Sequence, residues 1–202
     1  LALSGTRLYA GTKGGGVFRS QDRGGSWTDA NTGLAAVDIW SLASSDGVLY
    51  AGTGGHGVFR SDDGLSWTSA GLTGSVVSGI AVSGTEIYAA TFGQAVQRSS
   101  DGGASWTLAN AGLVNPIVTS VLPVGNTLYA GTFGDGVFRS VNRGNSWTRT
   151  GPGGQIVAWS LAASETAVYC GTAGDGVFRS TDGGNRWSPV NSGLTSRSIS
   201  SL

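Results

Sequence analysis

"YAGTFGDGVFRSVNRGNSW" occupies residues 129–147, and "YCGTAGDGVFRSTDGGNRW" occupies residues 169–187. The two stretches carry tyrosine, glycine, arginine and tryptophan in one order, and that order runs through the whole chain. Tyrosine stands at 9, 50, 88, 129 and 169, in steps of 41, 38, 41 and 40. Tryptophan stands at 27, 67, 106, 147 and 187, in steps of 40, 39, 41 and 40, with only Trp40 and Trp159 outside this ladder. The chain is therefore five copies of a unit of about forty residues, a period that signals propellers, solenoids or arrays.

Each unit divides into four short segments. In the second copy "IWSLA" (39–43) precedes the turn "SSDG", "VLYAGT" (48–53) precedes "GGHG", and "VFRS" (58–61) precedes "DDGLS", before a fourth segment at Trp67. Short runs rich in Val, Ile, Tyr, Phe and Trp, punctuated by Gly, Asp and Ser, predict strands joined by tight turns. No segment has helical periodicity. The unit reads as a four-stranded antiparallel meander.

One such sheet leaves two apolar faces in water and is marginal by itself. Stacking five around an axis covers those faces, which predicts an all-β, five-bladed β-propeller spanning residues 1–202 as one domain. The innermost strands, crowded at an axis, should be thin, and Ser41, Gly79, Ser120, Ser160 and Ser201 share one position there. Leu1 and Leu202 both match Leu42 in repeat phase. Ile199–Leu202 are thus expected to serve as the innermost strand of the first blade and to close the ring. The competing expectation is a piece of a larger ring or array. The start "LALSGTRLYA", without Met or a signal peptide, is expected of a mature region or an excised piece.

Composition narrows the function classes. Twelve basic residues balance twelve acidic ones, so no bulk field selects nucleic acid or an anionic membrane. Glycine reaches 36 of 202 residues, yet seven Trp, five Tyr and six Phe argue for a packed core. No apolar run approaches the ~20 residues of a membrane span. Cys170, the single cysteine, excludes an internal disulfide and takes the place of Ala10, Ala51, Ala89 and Ala130 in the other copies, as a small buried group would. One histidine, His56, cannot build a zinc site without carboxylate help, and neither metal nor cofactor is expected.

The segments from Ser20 ("SQDRGGSW"), Ser99 ("SSDGGASW") and Ser180 ("STDGGNRW") share the pattern S-x-D-x-G-x-x-W. This resembles the Asp-box, or bacterial neuraminidase repeat, of sialidases, sortilin-type receptors and photosystem II assembly factors. Two copies depart from it: "SVNRGNSW" has Asn142 for the acid, and "SDDGLSW" (61–67) is one residue short. Asp22, Asp63, Asp101, Asn142 and Asp182 are each expected to accept backbone N–H bonds across the third-to-fourth strand turn. Trp27, Trp67, Trp106, Trp147 and Trp187 are expected to fold back over that turn. An acid present in every blade is a structural lock rather than an active site. The resemblance places it on the face away from ligand. Arg19, Arg60, Arg98, Arg139 and Arg179 each precede the lock by one fixed step. They are read as stacking on their own blade's Trp or bonding a turn carbonyl, ahead of an anion-gripping ring.

Recognition needs residues that break the repeat. Loops from second to third strand, and from the outermost to the next innermost strand, open on one propeller face. In the first loop type the variable columns are Lys13, Gly54, Phe92, Phe133 and Ala173, then Gly15, His56, Gln94, Asp135 and Asp175. Trp40 and Trp159 share a place on two innermost strands where other copies have Ser78, Thr119 and Ser200; they either stack on a ligand or pack between blades. Lys13, Trp40, His56, Phe92, Gln94, Phe133, Asp135, Trp159 and Asp175 are the ligand-binding candidates.

Asp135, Asp175 and His56 invite acid–base chemistry. The sialidase resemblance nevertheless stops short of an active site: every Tyr is a repeat residue, an Arg-Ile-Pro signature is absent, and the only glutamates are Glu86 and Glu165. Three functions compete. The leading expectation is a non-catalytic, monomeric binding scaffold for a glycan, peptide or protein. The others are a degenerate glycoside hydrolase-like propeller and a structural module of a larger extracytoplasmic protein. Low charge, abundant Ser, Thr and Gly, and the Asp-box resemblance favour a secreted or bacterial cell-envelope setting.

Overall fold

Tight glycine-rich turns and short apolar runs produce sheets of the expected kind. The computed structural model describes residues 1–36, 38–152 and 154–202. Among these, no residue is helical, and twenty strands form five four-stranded sheets in which strand order follows chain order. Blade 1 holds Ala2–Ser4, Arg7–Thr12, Gly16–Ser20 and Thr28–Asp29. Blade 2 holds Ile39–Ser45, Val48–Thr53, Val58–Ser61 and Thr68–Ser69. Val77–Ser83, Glu86–Thr91, Val96–Ser99 and Thr107–Leu108 make blade 3. Blade 4 is Val118–Val124, Thr127–Thr132, Gly136–Ser140 and Thr148–Arg149; blade 5 is Ala158–Ala163, Val168–Thr172, Val177–Ser180 and Ser188–Pro189. This is β-propeller architecture.

The chain divides into two units. The first is Leu1–Thr91 with Gln97–Thr107, and the second is Phe92–Val96 with Leu108–Leu202. In the first unit, Tyr9, Val17, Leu49, Phe59 and Trp67 bury one another between blades 1 and 2, and Tyr50, Val58, Val77, Ile80 and Ile87 do so between blades 2 and 3. In the second, Tyr129, Val137, Ala158, Val168 and Cys170 form the equivalent layer between blades 4 and 5. Each fully buried Val, Leu or Phe contributes about 1.5–3 kcal/mol of transfer free energy. The stabilisation therefore lies between sheets, as the meander's two apolar faces require. Cys170 is fully buried in that layer, and burial pushes its thiol up to about 12.

Crowding explains one glycine column. A Cβ on Gly52 would stand 2.7 Å from Val77 Cγ1 of the next blade's innermost strand, and one on Gly131 would stand 2.6 Å from the Ala158 carbonyl oxygen. A Cβ on Gly171 would likewise meet Ile199 Cγ2 at 2.6 Å. Ile199 thus occupies, beside blade 5, the place where a following innermost strand begins, and its N–H donates to Thr172 O at 2.8 Å. The strand expected over 199–202 is corrected. Those residues lie in no strand, and blade 1 takes its innermost strand from Ala2–Ser4, with Ala2 opposite Tyr9. The Gly5–Thr6 turn makes that pairing local, and a two-residue hairpin loop loses little chain entropy.

Side-chain hydrogen bonds tie the third-to-fourth strand turns. Asp22 Oδ1 accepts from Ser20 Oγ (2.7 Å) and Ser26 N–H (2.8 Å), while Oδ2 accepts from Ser26 Oγ (2.6 Å). Asp101 repeats the set with Ser99 and Ser105. The shortened turn of blade 2 still aims Leu65 and Ser66 N–H groups at Asp63 Oδ1. Asn142 keeps the acceptor role toward Ser140 and Ser146, and reverses the last bond, its Nδ2 donating to Ser146 Oγ at 2.8 Å. An amide can donate where a carboxylate accepts, which is why asparagine fits. In blade 5 Asp182 accepts from Ser180 Oγ and the Arg186 N–H.

The ladder tryptophans do more than cover their own turns. Trp67 Nε1 donates to Ala30 O (2.7 Å), Trp106 Nε1 to Ala70 O (2.7 Å) and Trp147 Nε1 to Ala109 O (2.8 Å). Each indole therefore bonds the fourth-strand end of the preceding blade. Trp187 departs from this by donating to Gly184 O of its own turn. The arginines face the repeated tyrosines across the second and third strands: Tyr9 opposite Arg19, Tyr50 opposite Arg60, Tyr129 opposite Arg139, Tyr169 opposite Arg179. Arg139 also bonds a turn carbonyl, but that of the next blade, Gly183 O at 2.7 Å.

Candidate functional site

A backbone irregularity aims the two off-ladder tryptophans. In blade 2 Ile39 pairs with Thr53 and Ser41 with Gly52, leaving Trp40 as the extra residue of a β-bulge. Trp159 is the extra residue in blade 5, between Ala158 opposite Thr172 and Ser160 opposite Gly171. A bulge breaks the period-2 alternation and redirects a side chain. The same bulge holds Thr119 in blade 4 and Ser78 in blade 3. There the hydroxyls turn inward: Thr119 Oγ1 donates to Ala158 O, and Ser78 Oγ to Ala90 O. A tryptophan is too large for that inward place. Trp40 and Trp159 are 49% and 36% exposed, whereas the ladder residues Trp67 and Trp147 are buried.

In the first unit Trp40 lies close over Gly54, where a Cβ would stand 2.7 Å from the indole Nε1. Lys13 and His56 are exposed in the neighbouring second-to-third strand loops, and the His56 N–H is tied to Thr53 Oγ1 at 3.0 Å.

The second unit brings two candidates together, and a third lies two residues along the same loop. The Phe133 and Trp159 rings lie edge to face, with centroids 6.2 Å apart and planes inclined at 62°. Phe133 is 49% exposed. Two residues on, half-buried Asp135 is held by a residue that the repeat columns did not single out. Asn115 Nδ2 donates to Phe133 O (2.8 Å) and to Asp135 Oδ2 (2.9 Å), while Asn115 Oδ1 accepts the Ile117 N–H at 2.9 Å. Asn115 belongs to the other loop class, from the outermost to the next innermost strand, so one loop of each class touches here. The dipeptide Asn115-Pro116 was its only visible signal, since proline fixes φ and removes a donor beside it.

The remaining candidates of this unit sit on adjoining loops, with Pro116 O accepting the Gly93 N–H and Val157 O the Ala173 N–H. Phe92 is half-buried with its backbone bridged to Ile117, and Gln94 is exposed. Asp175 is exposed; its N–H donates to Thr172 Oγ1, and its carbonyl accepts from Asn191 Nδ2. Asn191 Oδ1 also takes the Val177 N–H at 2.7 Å, and Asn31 binds Val17 in the same way in blade 1. These loops are thus fixed by side-chain amides, which lowers the ordering cost of any ligand they meet. Among the described residues, no group of three or more His, Cys, Asp or Glu side chains is placed to hold a metal ion, and no helix is long and apolar enough to cross a membrane.

Residues 2–127 match a family described as the DUF6242 beta propeller domain. No curated protein matches the chain. Among solved structures, an ancestral GH74 enzyme is 21% identical with a TM-score of 0.76, over 96% of this chain and 31% of that one. The extracellular domain of a one component system from B. thetaiotaomicron is 16% identical with a TM-score of 0.79, over 100% of this chain and 29% of that one. YCF48 bound to D1 peptide is 16% identical with a TM-score of 0.67, over 92% of this chain and 64% of that one. The chain spans under a third of the first two proteins. At these identities the likeness establishes the fold alone.

Proposed function

We propose that this chain, which belongs to the DUF6242 beta propeller domain family, is a non-catalytic binding module working as a monomer outside the cytoplasm. Its ligand is a glycan, a peptide or a segment of another protein. The observation that carries the reading is the exposure of Trp159 and Phe133 beside a carboxylate that Asn115 holds in place. Large aromatic groups left in water on a rigid loop face serve recognition better than stability. Trp40 and Gly54 extend the same design in the first unit. The neighbours point the same way, since one is an extracellular domain and another carries a bound peptide.

A hydrolase built on Asp135 draws less support. The side-chain partner of that carboxylate is an amide, whereas glycoside hydrolysis calls for a second carboxyl group at a set distance. The test is a glycan array and a peptide array probed with the intact chain and with Phe133→Ala/Trp159→Ala, the fold checked by circular dichroism. Saturable binding to at least one ligand, lost in the folded double variant, is expected. Binding to neither array, or binding indifferent to both aromatics, refutes the proposal.

A further inference from the structure

The Phe133–Trp159 corner is bordered by a fixed amide and a carboxylate. Both Asn115 Nδ2 hydrogens are committed, one to Phe133 O and one to Asp135 Oδ2, and Asn115 Oδ1 is fixed by the Ile117 N–H. The amide therefore offers a ligand no donor. Among the described residues, no donor is bonded to the second Asp135 oxygen. The two rings, inclined at 62°, border a corner whose walls are partly open to solvent, and aromatic faces carry the negative lobes of the ring quadrupole. The Trp159 indole N–H lies at the ring edge and leaves the sign of the face unchanged.

Charge on the surrounding loops has the same sign. Residues 92–96, 114–117, 133–135, 154–159 and 173–175 contain Asp135 and Asp175 and neither lysine nor arginine. Two cations reach these loops from outside them: Arg149, whose guanidinium donates to Gly154 O at 3.1 Å, and Arg197, in the loop whose carbonyl binds Gly176 N–H, next to Asp175 rather than Asp135. Sugar hydroxyls are best met by mixed donors and acceptors. A corner of acceptors and π faces instead fits a group that is positively charged, partly apolar and rich in donors or polarised C–H bonds.

We infer that the corner formed by Phe133, Trp159 and Asp135 binds an organic cation of the alkylammonium class. This rests on the reading of that loop face as a binding surface and names its ligand chemistry. Two sources carry the group: a lysine side chain of a peptide, with or without N-methylation, and a quaternary ammonium headgroup. The rigid Asn115 clamp makes Asp135 the charge partner and the rings the shape filter, so methylation would enlarge the aromatic contact while removing hydrogen bonds to the carboxylate.

The experiment titrates the intact chain with choline, with its neutral isostere 3,3-dimethyl-1-butanol, and with Nα-acetyl-lysine methylamide, following the Trp159 indole N–H resonance. That resonance is assigned by its loss in Trp159→Phe. At least one cation is expected to shift it saturably, at least about tenfold more tightly than the neutral isostere. Whichever cation binds more tightly identifies the source. Asp135→Asn is expected to weaken binding about fivefold and to flatten its salt dependence, and Phe133→Ala to weaken it by a similar factor. Asp135→Asn lies on a loop away from the inter-blade layers, so it tests the inference even where the aromatic variants lose stability. Equal binding of the neutral isostere, indifference to Asp135→Asn, or no response to either cation overturns the inference. A glycan or uncharged peptide captured on the arrays at the same residues would then show that the binding surface stands while its cation chemistry fails.

Discussion

Replacing Trp67 and Trp27 by alanine compares one side chain in two settings. Trp67 is 3% exposed, and its Nε1 donates to Ala30 O at 2.7 Å; Trp27 is 39% exposed. Burying a tryptophan removes about 150–250 Å² from water, which at about 25 cal/mol per Å² sets a ceiling near 4–6 kcal/mol. Compaction of the denatured chain lowers this to about 3–5 kcal/mol, in line with the usual cost of emptying a large aromatic site. Trp27 keeps roughly three-fifths of that burial, so Trp27→Ala should cost about 2–3 kcal/mol. Trp67→Phe divides the larger figure further. It retains most of the apolar contact but strands the Ala30 carbonyl, at about 1–3 kcal/mol. Urea unfolding followed by far-ultraviolet circular dichroism gives all three costs, provided the m-value matches that of the parent chain. Trp27→Ala costing as much as Trp67→Ala, or a neutral Trp67→Phe, would refute the inter-blade role of the indole.

Three further outcomes are expected. Hydrogen bonds hold Asp22 and Asp101 down at about 2, the largest share coming from the Ser26 and Ser105 hydroxyls respectively, and backbone N–H groups lower Asp63 and Asp182 too. A carboxyl depressed in the folded state stabilises above its unfolded value of about 3.9 and loses that contribution as pH falls through about 2. The urea midpoint should therefore drop between pH 5 and pH 2, and drop less in Asp22→Asn/Asp101→Asn; equal acid sensitivity would argue against the turn locks. Cys170, buried with its thiol pushed up to about 12, should resist iodoacetamide at pH 8 in the native protein and react in urea, as mass spectrometry would show. Gly54→Ala places a Cβ 2.7 Å from Trp40 Nε1, so the Trp40 indole N–H resonance should move; an unmoved resonance would show that the indole does not rest on that glycine.

The repeat was legible because sheet stacking imposes a fixed demand on every copy. The tyrosine fills an inter-blade layer, the glycine admits the neighbouring innermost strand, and the Ser/Asp pair ties a turn, so each appears as a column at a spacing of about forty residues. The columns that break the pattern marked the loop face, and Trp40, Trp159, Phe133 and Asp135 were legible as exceptions. Asn115 was not. Its partners lie 18 and 20 residues away in another loop class, and no repeated position predicts a contact formed by one copy alone.

Sequence by itself determined the five-fold unit, its four strands, the turn locks and the residues free to vary, because these rest on local turn chemistry and periodic burial. Tertiary structure alone decided the rest. It put the Trp67, Trp106 and Trp147 indoles on the preceding blade's carbonyls, gave the first innermost strand to Ala2–Ser4, and placed Trp40 and Trp159 on bulges that turn them outward. A register shift of one residue changes which face a side chain takes, and register is set by pairing with another strand rather than by the residue's own neighbours.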